Sequence, residues 1–576
     1  MLPSLVLCIA LFPAIGGRFV LGGLALPNAQ RRSATQYEEN DKLGAVASES
    51  SVCSRIGVDL IKAGGSAADA LVGTVFCVGV IGMYHSGIGG GGFMIVRGSN
   101  GSYEAIDFRE IAPAAAFEDM YNDNVNLSLY GGLASGVPGE LRGLEYLHQG
   151  YGKLPWAQVM QPAIKLARCG FTVTQDLVNQ EMSAIAGGPN FLVEDPSFAI
   201  DFAPNGTLLG LNETITRKRY ADTLETIAER GPDAFYTGPI ANATINALQA
   251  SGGTMTLEDL KSYKIALRKP AQIDYRGFQL TACSAPSSGT VALSVMKTVE
   301  GYSDFGQAAA INLSTHRLDE AIRFAYGERA NLGDPSFVEG LDVYQDEMLN
   351  ETTAENIRSR ISDFHTLSVS AYDPQGFESL NDSGTSTIVT ADASGMAISL
   401  TTTINLLFGS QLCVPETGVI MNDEMNDFSV PGQVNAFGYA PSPSNFIRPG
   451  KRPLSSISPT IAEYLSNGTL YYVIGSAGGS RIITAVIQNL WHVLDQNATV
   501  EEALADPRFH DQLEPNQVSF EYAYNNETVA YMASLGHNAT WIAPGQSTAQ
   551  GLRRQPNGTF EAGAEPRQHA SGGFAV

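Results

Sequence analysis

The apolar positions of the chain change their spacing several times, and each change predicts an element. A helix is expected over 51–63, where Gly64-Gly65 supplies the stop; Ser66 then caps a second, strongly apolar helix running to Met83. After a glycine run come two short stretches, 93–97 and 103–108, joined by Asn100-Gly101, a strong hairpin signal. The middle, about 136–375, reads as mostly helical with polar loops. Then β-branched residues take over. Residues 385–391, a turn at Ala393-Ser394-Gly395, and 396–405 predict a second hairpin. A further strand, 470–474, leads into Gly475-Ser476-Ala477-Gly478-Gly479 and a helix from Ser480 to about Leu494. Strands at both ends with helices between predict a layered α/β (α+β) sandwich rather than separate beads.

Composition narrows the function more than the fold. The 576 residues hold 44% hydrophobic positions, 60 glycines and 28 prolines, an ordinary globular make-up with room for a large core. The balance of 35 basic and 59 acidic residues, −24, argues against nucleic acid as a partner, since a phosphate backbone is held mainly by Lys and Arg. It names no substrate.

The N-terminus and the sequons speak to compartment. Apolar runs at 2–15 and 19–27, with Gly23-Leu24-Ala25 as small residues before a cut, predict a signal peptide or an uncleaved signal anchor over 1–29; Arg18 interrupts the run. Thirteen Asn-x-Ser/Thr sequons favour passage through a secretory pathway, with the body secreted or held on the lumenal or extracellular side. Several lie in turns, at Asn100-Gly101, Asn205-Gly206, Asn467-Gly468 and Asn557-Gly558. Of six cysteines, Cys8 leaves with a cleaved signal, and the remaining five are an odd number. With no CxxC, no HExxH and no metal-like His/Cys cluster, a structural zinc site is not expected.

Two motifs invite chemistry. Gly87 to Gly92 formally matches GxGxxG, but the predicted helix precedes it and the strand follows it, the reverse of a dinucleotide site. These glycines are expected to let backbone pass close to something. A GxSxG elbow is absent. What remains is hydroxyl-rich: 381–387 enters the second hairpin, and Thr401-Thr402-Thr403 lies on its return strand. Threonine-rich strands ordinarily express β propensity. The alternative is a threonine nucleophile whose base is its own α-amino group, which requires cleavage just before it. Gly384 suits that, because a residue without Cβ reaches the geometry of an N→O acyl shift more easily.

Taken together, the motifs resemble the γ-glutamyltranspeptidases, from about Gly44 to the C-terminus. The resemblance rests on Cys53-Ser54-Arg55-Ile56-Gly57, His85 to Gly91, Asp107-Phe108-Arg109-Glu110 with Ala112-Pro113, Gly384-Thr385, Thr403-Ile404-Asn405, Phe408-Gly409-Ser410, Asn422 to Phe428, Pro453-Leu454-Ser455-Ser456, and Gly475 to Gly479. It implies an N-terminal-nucleophile hydrolase with an αββα sandwich, cut between Gly384 and Thr385 into a large subunit (30–384) and a small catalytic subunit (385–576) that share one fold. Thr385 would be the nucleophile of processing and catalysis, Thr403 would hydrogen-bond its Oγ, and the N–H groups of Gly478 and Gly479 would form the oxyanion hole. A γ-glutamyl donor would place its α-carboxylate on Arg109, Ser455 and Ser456, and its ammonium on Asn405, Glu424 and Asp427. Cys53 and Cys77 match a disulfide pair of mammalian relatives.

The implied substrates are glutathione and other γ-glutamyl compounds, with water, amino acids or dipeptides as acceptors, and the resemblance implies no cofactor. Two departures bear on pocket closure: Thr387 stands where the family often has His, and Leu407 where mammalian members have Tyr. The rival enzyme reading is hydrolysis of β-lactam acyl side chains, against which the ammonium partners discriminate; the rival from another class is an unprocessed surface glycoprotein.

Overall fold

The computed structural model describes residues 41–377, 384–432 and 440–576. The body of the chain is 39–576; the expected signal segment 1–29 and Asn381 lie outside the described residues. Thirteen strands build two sheets. In chain order they are β1 (Gly44–Ser48), β2 (Gly91–Arg97), β3 (Tyr103–Asp107), β4 (Ala266–Arg268), β5 (Ala271–Tyr275), β6 (Phe278–Ala282), β7 (Ser386–Asp392), β8 (Ala397–Thr403), β9 (Thr460–Tyr464), β10 (Leu470–Ala477), β11 (Thr548–Arg554), β12 (Phe560–Gly563) and β13 (Gly572–Ala575). The first sheet runs β13-β1-β7-β8-β2-β3-β4 and the second β12-β11-β10-β9-β6-β5. The sheets face each other through β7, β8 and β10. Helices α1 (Ser51–Lys62) and α2 (Ala67–Ile81) cover the first; α3 (Gly289–Glu300) and α5 (Arg481–Asp495) cover the second, with α4 (Ile311–Arg329) packed on α3. The order is helix, sheet, sheet, helix.

The predicted signals explain most of these elements. Ser50 caps α1 by accepting from the Cys53 amide, and Ser66 with Asp69 forms a capping box on α2. Every residue of α2 is buried, as expected for a helix apolar all round. Cys53 and Cys77 are joined in a disulfide across the α1–α2 pair, while Cys169, Cys283 and Cys413 are free thiols. In β8, Ile398 and Leu400 enter the apolar layer shared with α2. The alternate residues Ser399, Thr401 and Thr403 therefore point to the other face, where the Ser399 hydroxyl donates to the Ile474 carbonyl at 2.9 Å.

Two expectations need correction. The middle region is not helical throughout: 266–268 edges the first sheet, and β5 and β6 form a hairpin in the second. In β5 buried Ala271, Ile273 and Tyr275 alternate with exposed Gln272 and Asp274, a period-2 pattern too short to stand out among helices. Strand β10 also continues past Ile474 to Ala477, so Gly475 is a strand residue and the turn is confined to Gly478-Gly479. A Cβ on Gly475 would lie 2.2 Å from Thr387 Oγ1. That glycine serves the close approach of the two sheets, not a bend.

Candidate active site

The register of the β7–β8 hairpin places the candidate nucleophile. Ser386 pairs with Thr402 and Thr387 with Thr401, so Thr385, one residue before the strand, stands opposite Thr403. The peptide before Thr385 is constrained. Gly384 has φ 96°, and a Cβ there would sit 2.0 Å from the Asn405 carbonyl oxygen. Only glycine fits both conditions.

Two hydroxyls converge on the Gly384 carbonyl oxygen: that of Thr385 at 2.5 Å and that of Thr403 at 2.9 Å. The Thr403 oxygen in turn accepts the Asn405 amide at 2.7 Å. Thr403 was expected to bond the Thr385 hydroxyl; here it donates to the Gly384 carbonyl instead, the acceptor lying between the two side chains. The glycine run passes along this point as anticipated. A Cβ on Gly90 would be 2.0 Å from the Thr403 carbonyl oxygen, and one on Gly92 2.1 Å from that of Thr401.

A small pocket opens beside the hairpin, lined by Arg109, Gly384, Thr385, Thr403, Asn405, Glu424, Asp427, Ser455 and Gly479, with Ile457 and Ile482 as apolar wall. Its free space is about 10 Å³, room for one water and far too little for a tripeptide. Arg109 is buried and ion-paired to both Glu424 and Asp427. The two carboxylates expected to meet a substrate ammonium are thus held by the guanidinium expected to meet its carboxylate. The Arg109 backbone is fixed on both sides: its N–H donates to Asp107 at 3.1 Å, and its carbonyl accepts the Tyr263 hydroxyl at 2.8 Å.

Burial raises the carboxyls here. Desolvation pushes Asp423 well above the usual range, and against the pull of Arg109 it raises Glu424 likewise and lifts Glu110 to about 8. Both Gly478 (φ 121°) and Gly479 (φ 60°) turn the chain from β10 into α5, and neither N–H donates to a backbone acceptor among the described residues. Of the pair, Gly479 lines the pocket and Gly478 lies one residue behind it.

Ser456 and Leu407 are not among the residues lining the pocket. The Ser456 hydroxyl accepts from Arg329 at 3.1 Å, and Arg329 also reaches Ser288, whose hydroxyl bonds the Ser455 carbonyl at 2.6 Å. Sequence reasoning missed Arg329, which has no motif around it. It also assigned no role to Asn422, whose amide group accepts from the Gly136 and Glu424 amides and donates to the Gly89 and Gly136 carbonyls, tying the glycine run to the acidic turn. Its place beside Glu424 within the quoted Asn422–Phe428 block was the available signal.

Two stacked sheets between helix layers, with a threonine opening a central strand, define an N-terminal-nucleophile hydrolase fold. A cephalosporin acylase from Bacillus halodurans has the same fold, at TM-score 0.82 and 24% identity over 97% of this chain and 99% of that one. The family model described as Gamma-glutamyltranspeptidase matches residues 53–574, and the chain belongs to that family. It is 54% identical over 565 residues to a glutathione hydrolase proenzyme of Arthroderma benhamiae, with 96% of each chain covered. A glutathione hydrolase of Aspergillus flavus is 50% identical, covering 94% of this chain and 90% of its own.

Proposed function

We propose that this chain is the precursor of a γ-glutamyltransferase and glutathione hydrolase that cuts itself between Gly384 and Thr385. The observation that carries the reading is the pair of threonine hydroxyls on the Gly384 carbonyl at 2.5 and 2.9 Å. Thr385 Oγ attacks the Gly384 carbonyl carbon, and Thr403 donates to the oxygen as it gains charge. The C–N bond breaks, the nitrogen takes up a proton, and an ester joins Gly384 to Thr385 Oγ. Water then hydrolyses the ester. The products are a carboxylate at Gly384 and a free α-amine on Thr385, placed to act as that residue's base.

The same hydroxyl then attacks the γ-carbonyl of glutathione or a related γ-glutamyl compound. The oxyanion is held by the amides at Gly478 and Gly479, and cysteinylglycine leaves with a proton. Water, an amino acid or a dipeptide takes the glutamyl group. Recognition of the donor is an exchange of ion pairs. Its α-carboxylate takes the planar fork of Arg109, with Ser455 alongside and Ser456 behind it, while its ammonium takes Glu424 and Asp427, released by Arg109, and the Asn405 side chain. A zwitterion satisfies both halves; a glutaryl chain, lacking the ammonium, would take Arg109 from Glu424 and Asp427 and bring them no cation in exchange.

A secretory location fits the disulfide between Cys53 and Cys77. It also fits the sequons: of the twelve described, eleven have an exposed asparagine, Asn312 alone being half-buried. No helix among the described residues is long and apolar enough to cross a membrane.

The test is a chromogenic γ-glutamyl anilide assay, with and without a dipeptide acceptor, run beside a denaturing gel. Turnover by a two-band protein whose smaller band begins at Thr385 is expected. A persistent single band without turnover refutes the proposal.

A further inference from the structure

Far from the pocket along the sequence, α4 carries His316 and Glu320 one helical turn apart, and the turn at 536–538 brings His537 against them. The three are buried, and their ligand atoms all lie within 4.8 Å of one another. Hydrogen placement decides what this cluster can hold. His316 Nε2 lies 2.7 Å from the Ser362 carbonyl oxygen, which can only accept, so Nε2 carries the ring hydrogen and Nδ1 presents a lone pair. His537 Nδ1 lies 3.0 Å from Asp319, a carboxylate that makes no hydrogen bond among the described residues. That contact is a charge approach without hydrogen-bond alignment, His537 Nδ1 being unpartnered too; with the ring hydrogen on Nδ1, facing Asp319, a lone pair is left on Nε2. In that tautomer two lone pairs face each other across the 2.7 Å between His316 Nδ1 and His537 Nε2, with Glu320 Oε1 3.8 Å from His537 Nε2.

We propose that His316 Nδ1, His537 Nε2 and Glu320 bind a divalent transition-metal ion, zinc by the character of the donor set. Two imidazoles and a carboxylate, with water as fourth ligand, are a complete tetrahedral set for zinc. At about 2.0–2.1 Å from each nitrogen the ion would spread them to about 3.3 Å, a small rotation of two side chains. The surroundings already have the form of an outer shell. Each imidazole turns its far nitrogen to an acceptor, Ser362 O or Asp319, and Glu320 accepts the Tyr372 hydroxyl at 2.7 and 2.8 Å. Charge favours a cation as well: Asp319, Glu320 and Asp511 are fully buried, and the guanidinium that meets Asp511, at 2.7 Å, is Arg323. The sequence hides the site because His537 stands 221 residues from His316. The ion would pin α4 to the C-terminal part of the chain whether or not the chain is cut.

The test uses untagged full-length protein, purified without chelator and dialysed against metal-free buffer. Metal content is read by mass spectrometry and Zn²⁺ affinity by competition with a chromophoric chelator. One zinc per chain is expected, with binding at least about tenfold weaker in Glu320→Gln and His537→Asn. Stripping should lower the wild-type melting temperature, and added Zn²⁺ should restore it. Folded wild-type protein that takes up no zinc at saturation overturns the proposal and leaves a proton as the occupant of the gap. Wild-type affinity in folded Glu320→Gln overturns it too. If the variants do not fold, the wild-type titration still decides.

Discussion

Two buried clusters of arginine and acid lie two residues apart in sequence and behave oppositely. At Asp107 the charges balance: Arg268 reaches Asp107 and Asp334, each at 2.9 Å, while Arg452 reaches Asp107 through its side chain and Asp334 through its backbone, both at 3.1 Å. Two acids meet two guanidiniums. At Arg109 one guanidinium meets Glu424 and Asp427, with Glu110 and Asp423 buried nearby. The balanced cluster is complete in itself and ties β3 and β4 to the segment that leads into Ser455. The other lines the pocket with more carboxyls than guanidiniums, and on the proposed reading an amino-acid ammonium would meet that surplus. The lesson is that stoichiometry, more than burial or residue type, separates a girder from a receptor.

The most severe break is Thr385→Ala, which removes the attacking oxygen from both processing and turnover. We expect a single full-length band and a loss of more than about 10⁴-fold in activity; two bands on the gel would dismiss Thr385. The two clusters should then separate under paired substitutions. Arg268→Met leaves Asp107 and Asp334 undercompensated and should lower unfolding free energy by about 3–5 kcal/mol, with KM of the surviving fold near wild type. Arg109→Lys keeps the charge but loses the fork, so kcat/KM should fall about 10²–10³-fold with denaturant midpoint little moved. If both variants shift the same quantity, the distinction is wrong.

Next comes Thr403→Val, which removes one donor from the Gly384 carbonyl. Precursor loss on a timed gel should slow by about 10²–10³-fold, and Thr403→Ser should recover most of it. An unchanged rate in Thr403→Val would remove that donor from the mechanism.

The smallest effect is a slope in pH. Glu110 and Glu140 ionise at about 8 in the fold, each lifted from 4.5 chiefly by desolvation. Between those values the unfolded chain releases protons that the folded chain keeps. Stability from these groups is therefore full below about 4.5 and lost as pH rises toward 8, by at most about 1.4 kcal/mol per pH unit for each. Urea midpoints from pH 5 to 8 should show a shallower decline in Glu110→Gln than in wild type. Parallel slopes would mean that Glu110 is already ionised at neutral pH.

Much of the site was legible before any coordinates, because its parts combine a backbone demand with a chemical one. Gly384 is needed for a positive φ and a bare Cα, Thr385 for its hydroxyl, and the 87–92 glycines for close passage of β8. What escaped were residues whose role exists only across distance. Arg329 closes α4 and Arg452 precedes the Pro453–Ser456 block, each reading locally as an ordinary arginine, and His316 and His537 meet only when α4 packs against the C-terminal part. The β5–β6 hairpin escaped for a different reason: five-residue strands alternate too briefly to compete with the helices on either side. The direction of the Thr403 hydroxyl was also unreadable, since it depends on whether the peptide before Thr385 is still intact.

The strand order of the first sheet has a consequence for the life of the molecule after cutting. The hairpin β7–β8 lies between β1 and β2, and β13, the last strand, pairs with the far side of β1. Segments from before and after Thr385 alternate like the fingers of two folded hands. Cut at Gly384 as proposed, the chain would gain an end without losing a piece, because a half exchanged between molecules would first have to be unlaced from the middle of a sheet.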